Sequence, residues 1–119
     1  MRARTWTFVA LAAAAALSAC RTGFRLSRYT TNPALYEAST REFQKRHWAN
    51  AILGFEKLTN DLPARDTLLP RAYWYLATAH DRQKEHLLAA QSYTRLYESF
   101  PDDTSADDAA LEAARAFRR

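Results

Sequence analysis

Apolar residues recur every three or four positions along successive stretches of this chain, the spacing of an amphipathic helix, and proline or a polar turn separates most of them. Leu35, Ala38 and Phe43 carry the first period, from Asn32-Pro33 to about Arg46. Asn32 is expected to cap that helix, with Pro33 in the first turn, where its missing N–H costs nothing. Trp48, Ala51, Ile52, Phe55 and Leu58 carry the second to near Asp61, and Pro63 stops it. A polar loop, Ala64 to Thr67, leads to a third helix from about Leu69 to Lys84. Pro70 is tolerable there only in the first turn, and Ala72, Tyr73, Leu76, Ala77 and His80 face inward. A fourth helix runs from about His86 to Ser99, with Leu88, Ala89, Tyr93 and Leu96 on one face, and Phe100-Pro101 ends it. Ser105 and Asp108 have capping-box spacing and open a fifth helix that runs to about Arg118, acids first and arginines last, as the helix dipole favours. Only two glycines, abundant alanine and no strand-type alternation predict an all-α chain.

The helix pairs are copies of one another. Aligned on Pro63 and Pro101, Ala51 matches Ala89, Phe55 matches Tyr93, Leu58 matches Leu96, Trp48 matches His86 and Leu35 matches Tyr73. Ala38-Ser39 likewise falls on Leu76-Ala77. Small residues let helix backbones approach to about 8–10 Å, and the rings fill the spaces between them. The pattern resembles the tetratricopeptide repeat, whose period is about 34 residues; here the period is 38, with the surplus assigned to the loop after Pro63. The resemblance implies two repeats, about 32–63 and 70–101, and one terminal helix, about 105–118, in a short right-handed solenoid. The first repeat departs from the pattern, with Leu35 at an aromatic position and Glu42 at an apolar one. A solenoid normally needs about three repeats. Either the chain is a truncated product, or its last helix is a cap, packing Ala110, Leu111, Ala113, Ala114 and Phe117 onto the second repeat and leaving Asp107, Asp108, Glu112 and Arg115 in water.

The amino terminus has another logic. Arg2 and Arg4 precede an apolar, alanine-rich run, Trp6 to Leu17, and then Ser18, Ala19 and Cys20, the one cysteine. This is the form of a secretory signal. Trp6 to Cys20 spans 15 residues, short of the roughly 20 that a membrane-spanning helix needs. Leu17-Ser18-Ala19-Cys20 resembles the lipobox of bacterial lipoproteins, which implies cleavage before Cys20, diacylglycerol on its sulfur and acylation of its amine. Several acyl chains anchor stably at about 0.8 kcal/mol per buried CH₂. The expected divisions are 1–19 signal, 20–31 lipidated cysteine and flexible tether, and 32–119 repeat domain. With a single thiol, no internal disulfide is available.

The formal charge of +4 falls to about +2 without Arg2 and Arg4. No run of five or six basic residues points to nucleic acid. Arg21, Arg25 and Arg28 either touch anionic headgroups, at about 1 kcal/mol each, or decorate a solvated tether. His47, His80 and His86 have no metal-ligand spacing, and the latter two occupy repeat positions that pack. Asp102-Asp103 and Asp107-Asp108 flank a helix start. No phosphate loop or nucleophile elbow is present. The expectation is a binding protein and not an enzyme, with no metal, no cofactor beyond the Cys20 lipid, and no small-molecule substrate.

Tyr36-Glu37-Ala38, Trp48-Ala49-Asn50-Ala51-Ile52, Ala72-Tyr73-Trp74-Tyr75-Leu76-Ala77 and Leu88-Ala89-Ala90 through Tyr97-Glu98-Ser99-Phe100-Pro101, behind a lipobox and a short tether, resemble the BamD family of outer-membrane protein assembly lipoproteins. Members are about twice as long, so no role of the family's C-terminal repeats is carried over. The resemblance implies partners among the assembly machinery's subunits or unfolded barrel proteins. It also implies a concave face built from the first helix of each pair. On that face would lie Tyr36, Thr40 and Phe43, then Trp74, Thr78 and Arg82 beside Asp81, a groove for an extended peptide. Arg21, not Asp, follows Cys20, which under the lipoprotein sorting rule implies the outer membrane, periplasmic side. A different envelope repeat lipoprotein, serving cell-wall synthesis or division, and a recruiting accessory of an envelope enzyme remain open.

Overall fold

The structure is a computed structural model and describes residues 23–119; the expected signal segment and Cys20 lie outside the described residues. Five α-helices follow one another: α1 (Asn32–Gln44), α2 (Trp48–Asp61), α3 (Leu69–Arg82), α4 (His86–Ser99) and α5 (Ala106–Phe117). No strand occurs among the described residues. Each helix packs on the next, so the chain is a row of antiparallel helical hairpins with a fifth helix at the end. The periodicity placed every boundary within about two residues.

Two caps differ from expectation. Thr31, not Asn32, is the N-cap of α1, its Oγ1 accepting from Ala34 N–H at 3.4 Å. Asn32 is already helical, so Pro33 still sits in the first turn. The Ser105–Asp108 capping box does not form. Ser105 instead donates its N–H (2.9 Å) and its hydroxyl to Asp103 Oδ1, closing the turn before the helix.

Both hairpins turn in the same way. Arg46 and Lys84, 38 residues apart, adopt left-handed backbone, φ 63° and 67°. Just beyond each, His47 N–H reaches the Glu42 carbonyl and Glu85 N–H the His80 carbonyl, both at 2.9 Å, a Schellman-type closure. The side chains of the same residues also pair: His47 Nδ1 with Glu42 Oε2 at 2.9 Å, and His80 Nδ1 with Glu85 Oε2. Acid and imidazole have changed places between the repeats. Glu42 is therefore no defect in the pattern. It is half of a turn lock that His80 reproduces.

The first helix of a pair is covered on two faces. Leu69, Ala72, Leu76 and Ala79 of α3 join Leu35, Ala51, Ile52, Phe55 and Leu58 in one buried cluster. Ala77, on another face of α3, joins Ala89, Ala90, Tyr93 and Leu96 of α4 and Ala109, Ala113 and Ala116 of α5 in a second. Leu88 departs from its expected inward face and stays about half exposed. Gly54 on α2 sits so close to α1 that an added Cβ would lie 1.9 Å from Ser39 Oγ.

Two findings differ from the expected ends of the domain. Phe24, Leu26 and Tyr29 pack against the first cluster, around a single 3-10 turn, Leu26–Arg28. From Phe24 onward the segment is therefore docked rather than a free tether, because its apolar side chains find the uncovered edge of α1 and α2. At the other end, Ala106, Ala109, Ala113 and Ala116 bury one face of α5. Ala110, Leu111, Ala114 and Phe117 do not pack back as a cap would; Leu111 is 48% and Phe117 60% exposed.

Replacing Arg46 or Lys84 by glycine removes the Cβ penalty of left-handed backbone, and each should stabilise the fold by about 0.5–1 kcal/mol in urea melts. Gly54→Ala should cost about 1–3 kcal/mol by overpacking, and Ser39→Gly in the same chain should recover most of it.

Candidate binding groove

With two faces of α3 covered, a third stays open. Arg71, Trp74, Thr78 and Arg82 recur along it at helical spacing, and each lines a surface depression. The first depression, about 490 Å³, lies between Arg71, Trp74 and Tyr75 and the turn Asp103–Ser105 ahead of α5. The second, about 890 Å³, holds Thr78, Asp81 and Arg82 with Trp48, and the turn residues Arg46 and Lys84 rim it. Together they make a polar and aromatic channel along α3.

Each lining group is held by neighbours. The Trp74 ring meets Tyr93 edge-on at 5.2 Å between centroids. Thr78 Oγ1 donates to the Trp74 carbonyl and hydrogen-bonds Tyr93 Oη, both at 2.9 Å. Burial raises the Tyr93 phenol above its ordinary pKa. The Arg82 guanidinium carbon lies 5.9 Å from the Trp48 ring centroid, a cation–π contact. Asp81 accepts from Arg119 and from His86 Nδ1, the latter at 2.8 Å. Among the described residues no carboxylate forms an ion pair with Arg46, Arg82 or Lys84, so the wider depression is rimmed by uncompensated positive charge.

The six groove residues expected from the sequence divide. Trp74 lines one depression, and Thr78 and Arg82 line the other. Tyr36, Thr40 and Phe43 line neither. Tyr36 stands edge-on to Phe55 at 5.9 Å, and Phe43 packs edge-on to Trp48 at 5.2 Å and Tyr75 at 4.8 Å. Phe55 and Tyr75 stack at 5.1 Å and complete the ring cluster. Burial raises the Tyr36 phenol, and the neighbouring Tyr75 adds to the effect. Thr40 spends its hydroxyl on the Tyr36 carbonyl at 2.9 Å. Sequence reasoning missed Arg71, Trp48 and the pair Arg46 and Lys84. The last two carried a signal: both are basic, and they occupy the same place in the two repeats.

His80 is buried, 4% exposed, and its Nε2 lies 3.8 Å from Glu56 Oε1. His47 and His86 are each committed to one carboxylate. No group of three or more His, Cys, Asp or Glu residues able to hold a metal occurs among the described residues. No helix among the described residues is long and apolar enough to cross a membrane.

Fold and groove together define the class: an all-α protein of repeated helical hairpins with solvent-facing depressions along α3. No family model, no curated protein and no solved structure matches the chain.

Burial alone would raise Glu42 and Asp81, but hydrogen bonds outweigh it, from Asn50 and His47 to Glu42 and from Arg119 and His86 to Asp81, and both carboxyls titrate below their ordinary values. Their stabilisation is therefore complete above the unfolded carboxyl range, about pH 4–4.5, and is lost as pH falls through the lower folded values. Urea midpoints measured from pH 7 down to pH 3 should fall. A Glu42→Gln/Asp81→Asn chain should start lower and fall less steeply.

Proposed function

We propose that this chain is a lipid-anchored scaffold facing the periplasm, a BamD-like component of outer-membrane β-barrel protein assembly. In this reading it binds extended segments of partner subunits or of unfolded barrel proteins. The observation that carries the binding role is the open face of α3, where Trp74 stands between Arg71 and Arg82 with its ring presented to a channel. Tryptophan and arginine are the residues that most often dominate binding energy at such surfaces. Two depressions in line along one helix suit an extended peptide better than a compact ligand. Leu17-Ser18-Ala19-Cys20 supports the anchor, and the repeat text from Tyr36 to Pro101 supports the family reading. A tether to the membrane raises the local concentration of both partners, so modest affinity in the channel suffices.

A photoreactive amino acid in place of Trp74 tests the role in cells. Capture of the barrel-assembly core subunit or of nascent barrel proteins supports it, and capture of cell-wall enzymes alone overturns it. Arg82→Ala, in a chain otherwise unchanged, should reduce captured barrel protein by about tenfold. For the anchor, Cys20→Ser should move the protein from the membrane to the soluble fraction; unchanged partitioning would refute lipidation.

A further inference from the structure

Among the described residues only Arg46 and Lys84 have a left-handed backbone. Glycine or asparagine fills such a place at a helix end with the least strain. Here both reversals carry a long basic side chain instead. The helix dipole favours a base at a C-terminal end, but Arg41 and Lys45 already serve α1, and Arg82 serves α3. Nor do the two side chains tie the hairpins together: neither forms an ion pair with a described carboxylate. Residues 1–22 hold no aspartate or glutamate that could pair with them.

What the two residues share is a place. Both line the depression of about 890 Å³, and Arg82 lines it with them, its guanidinium carbon 5.9 Å from the Trp48 ring centroid. The carboxylates of the same depression are already matched, Asp81 by Arg119 and His86, and Glu112 by Arg115. Three cations therefore converge on one hollow with no acid left for them there. Strained backbone of this kind clusters at ligand clamps and other functional sites.

We propose that Arg46, Arg82 and Lys84 clamp adjacent acidic side chains of an extended partner segment. The clamp rests on the reading of the α3 face as a peptide channel, and it names the chemistry of that peptide. Its three cations belong to the two hairpins, so it draws on nothing in α5 or after it. The forked guanidinium groups of Arg46 and Arg82 suit two-point contact with carboxylates, and the Lys84 ammonium adds a point charge. From the clamp the channel runs back to Trp74. The eight residues from Trp74 to Arg82 rise about 12 Å. An extended chain covers that distance in about four residues. The segment that fits therefore carries an acidic pair and, about four residues away, an apolar or aromatic side chain for the depression beside Trp74.

The probe is a fluorescent peptide, acetylated and amidated so that its only carboxylates are two adjacent glutamates, with a phenylalanine about four residues away. It is made in both chain directions and titrated against the full chain in detergent. The expected result is saturable binding that weakens as salt rises. Exchanging the glutamates for glutamines should weaken it at least about tenfold, and so should Arg46→Gly with Lys84→Gly in the protein. That double variant should unfold at a higher urea concentration than the parent, because glycine relieves the backbone. Weaker binding in a more stable chain is a combination that a purely structural role does not give. Arg46→Lys with Lys84→Arg should bind as the parent does. Absence of binding, or binding indifferent to the glutamines or to the double glycine variant, overturns the clamp. Binding that only Trp74→Ala removes overturns the clamp and leaves the channel standing. The clamp also falls if the chain retains micelles doped with phosphatidylglycerol through Arg46 and Lys84 while the peptide stays free, because a lipid surface is then the acidic partner.

Discussion

The whole arrangement rests on one helix being buried on two faces. α3 lies between α2 and α4, and its Ala72, Ala77 and Ala79 are fully buried. Helices approach to about 8–10 Å only where the contacting side chains are small or interleave. Alanine on both faces of α3, with Ala51 on α2 and with Ala89 and Ala90 on α4, meets that condition. Phe55 and Tyr93 then fill the spaces that the alanines leave. A helix has room for about three faces at this width, so covering two leaves a single face for anything else. The channel along Arg71, Trp74, Thr78 and Arg82 is that remaining face.

The turns transmit the same constraint. A hairpin of two close helices needs an abrupt reversal, and Arg46 and Lys84 supply it in left-handed backbone where glycine would be less strained. Reciprocal pairing of Glu42 with His47 and of Glu85 with His80 fixes the ends that the reversal joins. Because the reversals recur at the same place in each repeat, they bring two basic side chains to the rim of the same depression. Charge at the candidate site is thus partly a consequence of how the hairpins close, not of a basic patch in the sequence.

The two ends of the array solve the same problem differently. At the start, Phe24, Leu26 and Tyr29 settle on the edge of the first hairpin, and Phe24 comes near Gly54. At the finish, α5 buries an alanine face against α4 and exposes the other. In the proposed function the anchor and the channel act together, one setting where the protein works and the other what it holds.

The five helices and their limits were legible in the sequence, because proline, capping residues and a three-to-four spacing act locally. The repeat was legible for a related reason: two segments with equal packing duties converge on equal residue types. Half of the candidate channel was legible too, in Trp74, Thr78 and Arg82. The other half was not. Spacing shows which side chains share a face of a helix, but it does not show what that face meets. Tyr36 and Phe43 share a face that meets Phe55, Tyr75 and Trp48, so their rings pack, partly buried, against the core. Ala110, Ala114 and Phe117 share a face that no helix among the described residues covers, so their side chains are exposed. The sequence by itself determined the helices, their order and their repeat. Tertiary structure alone decided which faces are buried, because burial belongs to a pair of surfaces and the second member of each pair lies elsewhere in the chain.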